Sequence, residues 1–242
     1  MSGTLALTRL EIRRALRNRR VMFFAVMYPV GLYLLIGSTV SGTASNGVSA
    51  KAYVLIAMAS FGALGAALTT NATKIALERK EGWTRQLRLT ALPGGGYVVG
   101  KVAAATVITV PALVVVFGAG AATGIHQSAT RWITAFLIMW IGSLAFTGLG
   151  IAIGYGVPND SVQMVSMITY LGLAVIGGLF VPFSGTMAKI GAVSPSYQVR
   201  QLGTDAVNGI HLPAHGLMIL GAWVVGAAAL AAVMYRRGAA EE

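Results

Sequence analysis

Six stretches of this chain run for about 20 residues without a Lys, Arg, Asp or Glu: 21–40, 52–73, 102–123, 132–157, 162–181 and 217–235. A helix of that length crosses a hydrocarbon core of ~30 Å. In lipid, such a run must satisfy its own backbone hydrogen bonds, which a helix does within one segment. A membrane β-barrel would instead show segments of about ten residues with alternating polarity, and these runs do not alternate. The chain is 56% hydrophobic and only 10% charged, whereas soluble domains carry about 25% charged residues. The expectation is an all-α membrane protein with six transmembrane helices.

The charges fall between the runs. With the N-terminus inside, fourteen of the 18 Lys and Arg residues lie on the inner side, and four (Lys51, Arg131, Lys189 and Arg200) lie outside. The positive-inside rule then places both termini in the cytoplasm of a bacterial cell, with the chain multi-pass in the plasma membrane. The net charge of +11 is accounted for by topology, so nucleic acid is not an expected partner. The basic N-terminal region is long and lacks a small-residue cleavage site, unlike a cleaved signal. No cysteine is present, which excludes disulfides, thiolate metal sites and a cysteine nucleophile.

Residues 1–20 read as an amphipathic interfacial helix. Leu5, Ile12 and Leu16 recur at helical spacing, and Arg9, Arg13, Arg17 and Arg20 form a second stripe. Such a helix lies at the membrane surface with its arginines toward lipid headgroups. Residues 21–242 form the six-span domain. Its spans are rich in small residues that permit close helix packing, including GxxxG spacings at Gly120–Gly124 and Gly150–Gly154. Before the last span, Gly177, Gly178 and Pro182 break the fifth run. Residues 186–213 are too polar to span and too apolar for a plain loop, and so predict an outer re-entrant hairpin. Arg200 and Asp205 within it are expected to pair.

Residues 74–101 are a charged island between the second and third spans, with six basic residues and the carboxylates Glu78 and Glu81. Residues 81–90 read as a cytoplasmic coupling helix. Trp83 and Leu87 share a face at i, i+4, while Arg85 and Arg88 are available to an acidic partner. An amphipathic charged helix of this kind suits a groove in a soluble protein. Gly95, Gly100 and Lys101 imitate a phosphate loop, but Val102 stands where Ser or Thr would hold Mg²⁺. The glycines are read instead as a flexible turn. His126, His211 and His215 have no carboxylate near them in sequence, and Pro213 interrupts the second pair, so no metal site is expected. No span carries an internal charge, which removes the usual residues of an ion-coupled pump.

These features resemble the ABC-2 type transporter permeases, the membrane subunits of bacterial ABC exporters. The resemblance covers nearly the whole chain. It rests on the basic helix before the first span, the six-span plan, LERKEGWTRQLRLTALP at 77–93, GGLFVPFSG at 177–185 and the later SPSYQVRQL. Trp83, Thr84 and Arg85 depart from it, since family members often carry Thr-Leu and an acidic residue there. The resemblance implies a dimer, with a second copy or a similar permease, bound to two copies of a separate ATPase subunit. ATP and Mg²⁺ would sit on that partner, and this chain would hold no cofactor and no catalytic residue. The docking residues are then Glu78, Arg79, Glu81, Gly82, Trp83, Arg85, Gln86, Leu87 and Arg88.

The substrate expected is a drug-like amphiphile or lipid; the alternative is a lipid-linked polysaccharide. From another class stands a channel or membrane immunity protein, which would leave the island unexplained. An intramembrane enzyme would need paired acids or a Ser with a base at membrane depth, and the spans contain neither.

Overall fold

The computed structural model describes residues 2–40, 42–43, 49–82, 94–183 and 185–241. Nine helices occur among them: α1 Ser2–Arg17, α2 Arg19–Thr39, α3 Ala50–Lys80, α4 Gly94–Ala122, α5 Ala129–Gly156, α6 Val162–Ile176, α7 Gly185–Gly191, α8 Pro195–Asn208 and α9 Ala214–Glu241. No strand is found among these residues, only an isolated bridge between Thr43 and Ser49. Four helices have a stretch long and apolar enough to cross a membrane, at Ala50–Lys80, Val99–Ala122, Ala129–Gly156 and Ala214–Gly238. Val26–Thr39 and Val162–Ile176 are shorter apolar helices.

The bundle is built around α3, which packs against α2, α4, α5, α6 and α8. Its 31 residues extend about 45 Å at 1.5 Å per residue, well beyond a ~30 Å hydrocarbon core. It is apolar on all sides through its middle, as a helix surrounded by others must be, and Leu55, Leu64 and Leu68 are fully buried there. The sequence ended this span at 73, but the helix continues to Lys80. KIALERK consists of residues that favour helix, and the break comes only at Gly82, with φ 69°. Half of the charged island is therefore helix, not loop.

Glycines on α5 set how closely the helices approach. A Cβ at Gly154 would lie 2.8 Å from Cβ of Ile75 on α3, and one at Gly148 would lie 2.7 Å from the Ala227 backbone on α9. The GxxxG spacing on α5 is thus used in packing. The spacing on α4 is not: Gly124 has φ 90° and ends the helix in a turn. One further expectation is corrected. The glycines at 94–96 are not a flexible turn; they open α4. The break expected at Gly177 and Gly178 is present, and it ends the helix of the fifth run at Ile176.

Basic side chains at both ends of α3 close neighbouring helices. Lys51 donates to the Thr123 carbonyl just after α4 at 3.1 Å. Arg79 Nη1 donates to the Gly154 and Val157 carbonyls at the end of α5, at 2.8 and 3.1 Å. A helix C-terminus carries unpaired carbonyls and partial negative charge, and a cation answers both.

Candidate functional site

The helix α1 lies along α4. Its inward residues are Leu7 and Glu11, one turn apart, while Leu5 is 75% exposed. Of the Leu5–Ile12–Leu16 stripe that the spacing suggested, Leu5 faces away from the bundle, Ile12 packs half-buried against Ala104 and Ile108, and the Leu16 side chain lies outside the described set. Gly100 faces Leu7 and Thr8, and a Cβ there would meet them at an ordinary contact distance of 3.7 Å. Arg9, Arg13 and Arg17 are exposed on the outer side. Arg20 falls in the first turn of α2, and its side chain is outside the described set.

Under α1, Glu11 meets two lysines. One carboxylate oxygen accepts from Lys74 of α3 at 2.7 Å and the other from Lys101 of α4 at 3.2 Å. Lys101 also pairs with Glu78 of α3 at 2.5 Å. Lys74 and Glu78 are one turn apart on α3, so a single helix face supplies one charge of each sign. Glu11 and Lys101 are almost fully buried, whereas the Lys74 side chain is 27% exposed. Burial opposes the charge on Glu11, but Lys101 and Lys74 outweigh it and hold the carboxyl below the usual range. A lone buried charge would cost several kcal/mol, about as much as the cluster's mutual attraction returns. The cluster joins α1 to the two helix ends from which residues 81–93 depart. Hydropathy gives no sign of it. Its one sequence signal is Glu11, the single acid in a basic helix, at i+4 from Leu7.

Two residues assigned to docking are thus engaged inside the chain: Glu78 in the ion cluster and Arg79 on α5, where it also lies 6.0 Å from the Tyr155 ring centroid. Glu81 is exposed and Gly82 half-buried in the turn that closes α3. Trp83, Arg85, Gln86, Leu87 and Arg88 lie outside the described residues. Lys101, the lysine of the phosphate-loop imitation, is committed to carboxylates on a helix.

A groove of about 880 Å³ runs between α2, α3 and α6. At mid-helix its walls are Tyr28, Gly62, Gly65, Met167 and Tyr170, and toward the island it is lined by Thr69, Thr73, Gln163 and Asp160. Tyr170 and Phe61 stack at 4.7 Å behind its apolar end. Sequence analysis assigned none of these residues to a site, because they become neighbours only when three helices pack. The same helix, α3, lines the groove and carries Lys74 and Glu78 at the island.

At the opposite end, the hairpin residues gather around the end of α6. Gly178 adopts φ 66°, a conformation glycine reaches without strain. Three carbonyls at and just past the end of α6 accept from side chains: Leu173 from Ser196 Oγ at 2.5 Å, Gly177 from Arg200 Nε at 2.9 Å and Gly178 from Tyr53 OH at 2.5 Å. The Arg200 guanidinium lies 5.0 Å from the Tyr53 ring centroid and 4.7 Å from that of Tyr197. The expected pairing with Asp205 does not form, since Asp205 accepts from Gln201 at 2.9 Å instead. On one helix, residues five apart point in different directions. Pro182 follows in the non-helical segment before α7.

The family described as ABC-2 type transporter matches residues 3–195, from α1 to the start of α8. The chain belongs to the ABC-2 type transporter family. It is also similar to "Putative transport permease YvfS" of Bacillus subtilis (strain 168), 29% identical over 203 residues, covering 82% of this chain and 83% of that relative. Membership makes the protein a membrane transport permease whose family associates with an ABC ATPase. The cluster of Glu11, Lys74, Glu78 and Lys101 fixes the helices on either side of the island.

Proposed function

We propose that this chain is the membrane-spanning subunit of an ATP-driven exporter. Two copies, or one copy and a similar permease, form the path. Each binds a separate ATPase that carries ATP and Mg²⁺. Six spans leave both termini in the cytoplasm of a bacterial cell, with α6 and the α7–α8 segment together making the fifth crossing and an outer hairpin. Residues 81–93 dock to the ATPase with Trp83 as anchor, and the groove between α2, α3 and α6 receives a drug-like amphiphile or lipid.

The observation that carries this reading is the continuity of α3. Its middle lines the groove at Gly62, Gly65 and Thr69, and its end holds Lys74 and Glu78 in the ion cluster beside the docking segment. A rigid helix that touches both places converts movement at one into a change at the other. The test is co-expression with a candidate ABC ATPase subunit, then ATP-driven uptake of a fluorescent amphiphile into inverted vesicles. Trp83→Ala is expected to lower ATPase recovery by roughly thirty-fold or more in affinity, the usual loss for an aromatic hot spot, and to abolish uptake. Unchanged ATPase recovery alongside reduced thermal stability would overturn the docking role.

A further inference from the structure

From the chemistry of the groove we infer that its ligand is a lipophilic cation, recognised at the island end by Asp160. This rests on the reading that the groove holds the transported molecule, and adds the sign of that molecule's charge.

Three observations converge. The chain carries 18 Lys and Arg residues against 7 Asp and Glu, yet among the described residues no Lys or Arg lines the groove, and Asp160 is the one acid there. Asp160 is exposed and makes no hydrogen bond or ion pair among the described residues. Glu11 and Glu78 are committed to lysines and Asp205 to Gln201, so Asp160 differs from those three in being uncommitted. Arg79, at the same end of the bundle, has its guanidinium turned to the α5 carbonyls of Gly154 and Val157.

Three hydroxyls of the groove have their protons committed elsewhere. Thr69 donates to the Gly65 carbonyl at 2.6 Å, Thr73 to that of Thr69 at 2.8 Å, and Ser166 to that of Gln163 at 3.0 Å. A hydroxyl has one proton and two lone pairs, so these three face the groove as acceptors. Thr70 and the Gln163 amide are the neutral donors. A carboxylate among acceptor oxygens favours a positive ligand and leaves an anion with little to bind.

The other end suits an aromatic or alkyl body. Tyr28 and Tyr170 contribute ring surface and Met164 and Met167 adaptable thioether chains. The volume falls within the 300–1,000 Å³ usual for drug-sized ligands (~10³ Å³ at most). Polarity is therefore graded along the groove, from acidic at the island to aromatic at mid-helix. An amphiphile with a cationic head matches that gradient in one orientation.

Tetraphenylphosphonium and tetraphenylborate have one shape and opposite charges. Binding of each is measured by calorimetry to the purified chain in phosphatidylcholine nanodiscs, with empty nanodiscs subtracted. The expected result is saturable binding of the phosphonium, weakened roughly three- to tenfold by Asp160→Asn, the range for an exposed to half-buried charge pair. Asp160→Glu retains it, and tetraphenylborate does not weaken in Asp160→Asn. Met167→Trp, which fills the groove from its exposed wall, removes phosphonium binding. Thermal unfolding of each variant in the same nanodiscs verifies that it is folded. If Asp160→Asn binds the phosphonium as wild type while Met167→Trp does not, Asp160 is only a turn residue: the charge assignment is overturned and the groove reading survives. If neither variant alters binding of either ion, both are overturned.

Discussion

Lys101 is the cation shared by two carboxylates in a site that water barely reaches. Replacing it with Met keeps an unbranched chain of similar length and removes only the ammonium. Glu11 then keeps Lys74 at 2.7 Å, which is partly solvated, and loses the buried contact at 3.2 Å, while Glu78 loses the one at 2.5 Å. Removing one partner of a buried ion pair costs about 3–5 kcal/mol. At 2–4 °C per kcal/mol for a chain of about this size, unfolding should move down by roughly 6–20 °C. Glu11→Gln should cost less, because the amide oxygen still accepts from a lysine. Replacing Glu11 and Glu78 with Gln together with Lys101→Met should recover to within about 1 kcal/mol of wild type, since the buried charges are then removed together, which is often no less stable, and Lys74, 27% exposed, keeps its contact with water. The assay is intrinsic-fluorescence thermal unfolding of purified protein in one detergent. Two results would refute the reasoning. A Lys101→Met shift under about 3 °C would mean that the cluster is hydrated. A triple variant as unstable as the single one would mean that the loss is packing, not charge.

Acid should weaken the same contact. Glu11 has its carboxyl held low in the folded chain, so its contribution is complete above the unfolded value near ~4.3 and fades as pH falls below that. Unfolding temperature measured from neutral pH down to about 3 should drop on the acid limb, and Glu11→Gln should flatten it. Arg200→Ala and Asp205→Ala should have additive effects on stability, because each side chain bonds elsewhere. Arg200→Lys should not restore the loss, as an ammonium cannot reproduce a guanidinium held at Nε between two rings; an unfolding-based double-mutant cycle checks both statements. Gly148→Ala should destabilise the fold by about 1–3 kcal/mol, since its Cβ would press on Ala227 backbone atoms at 2.7–2.8 Å, and Ala227→Gly should not relieve it. An unshifted Gly148→Ala melting curve would show that α5 and α9 are free to separate.

Hydropathy and charge placement by themselves determined the helical class and the approximate positions of the apolar helices; the family was legible only as a resemblance, carried also by the segments at 77–93 and 177–185 and by SPSYQVRQL. The reason is that solvent imposes those features locally: an uncharged run of 20 residues has few alternatives in lipid, and a Gly-Gly pair ends a helix wherever it lies. The helix boundary at Lys80 is also written locally, in the helix-forming KIALERK before Gly82, whereas hydropathy marks only where the apolar run stops, at 73. Partnership was a different matter. Glu11 and Lys101 are 90 residues apart, Arg79 and Val157 78 apart, and Tyr28 faces Tyr170 across a groove to which three helices contribute. A charge reads in sequence as a solvated group, and it becomes a buried ion pair only when another helix supplies the opposite charge. Arg200 looked like a partner for Asp205, its neighbour in sequence; the tertiary fold assigned it instead to the open carbonyl of Gly177, because a buried donor goes to the acceptor that packing places within reach.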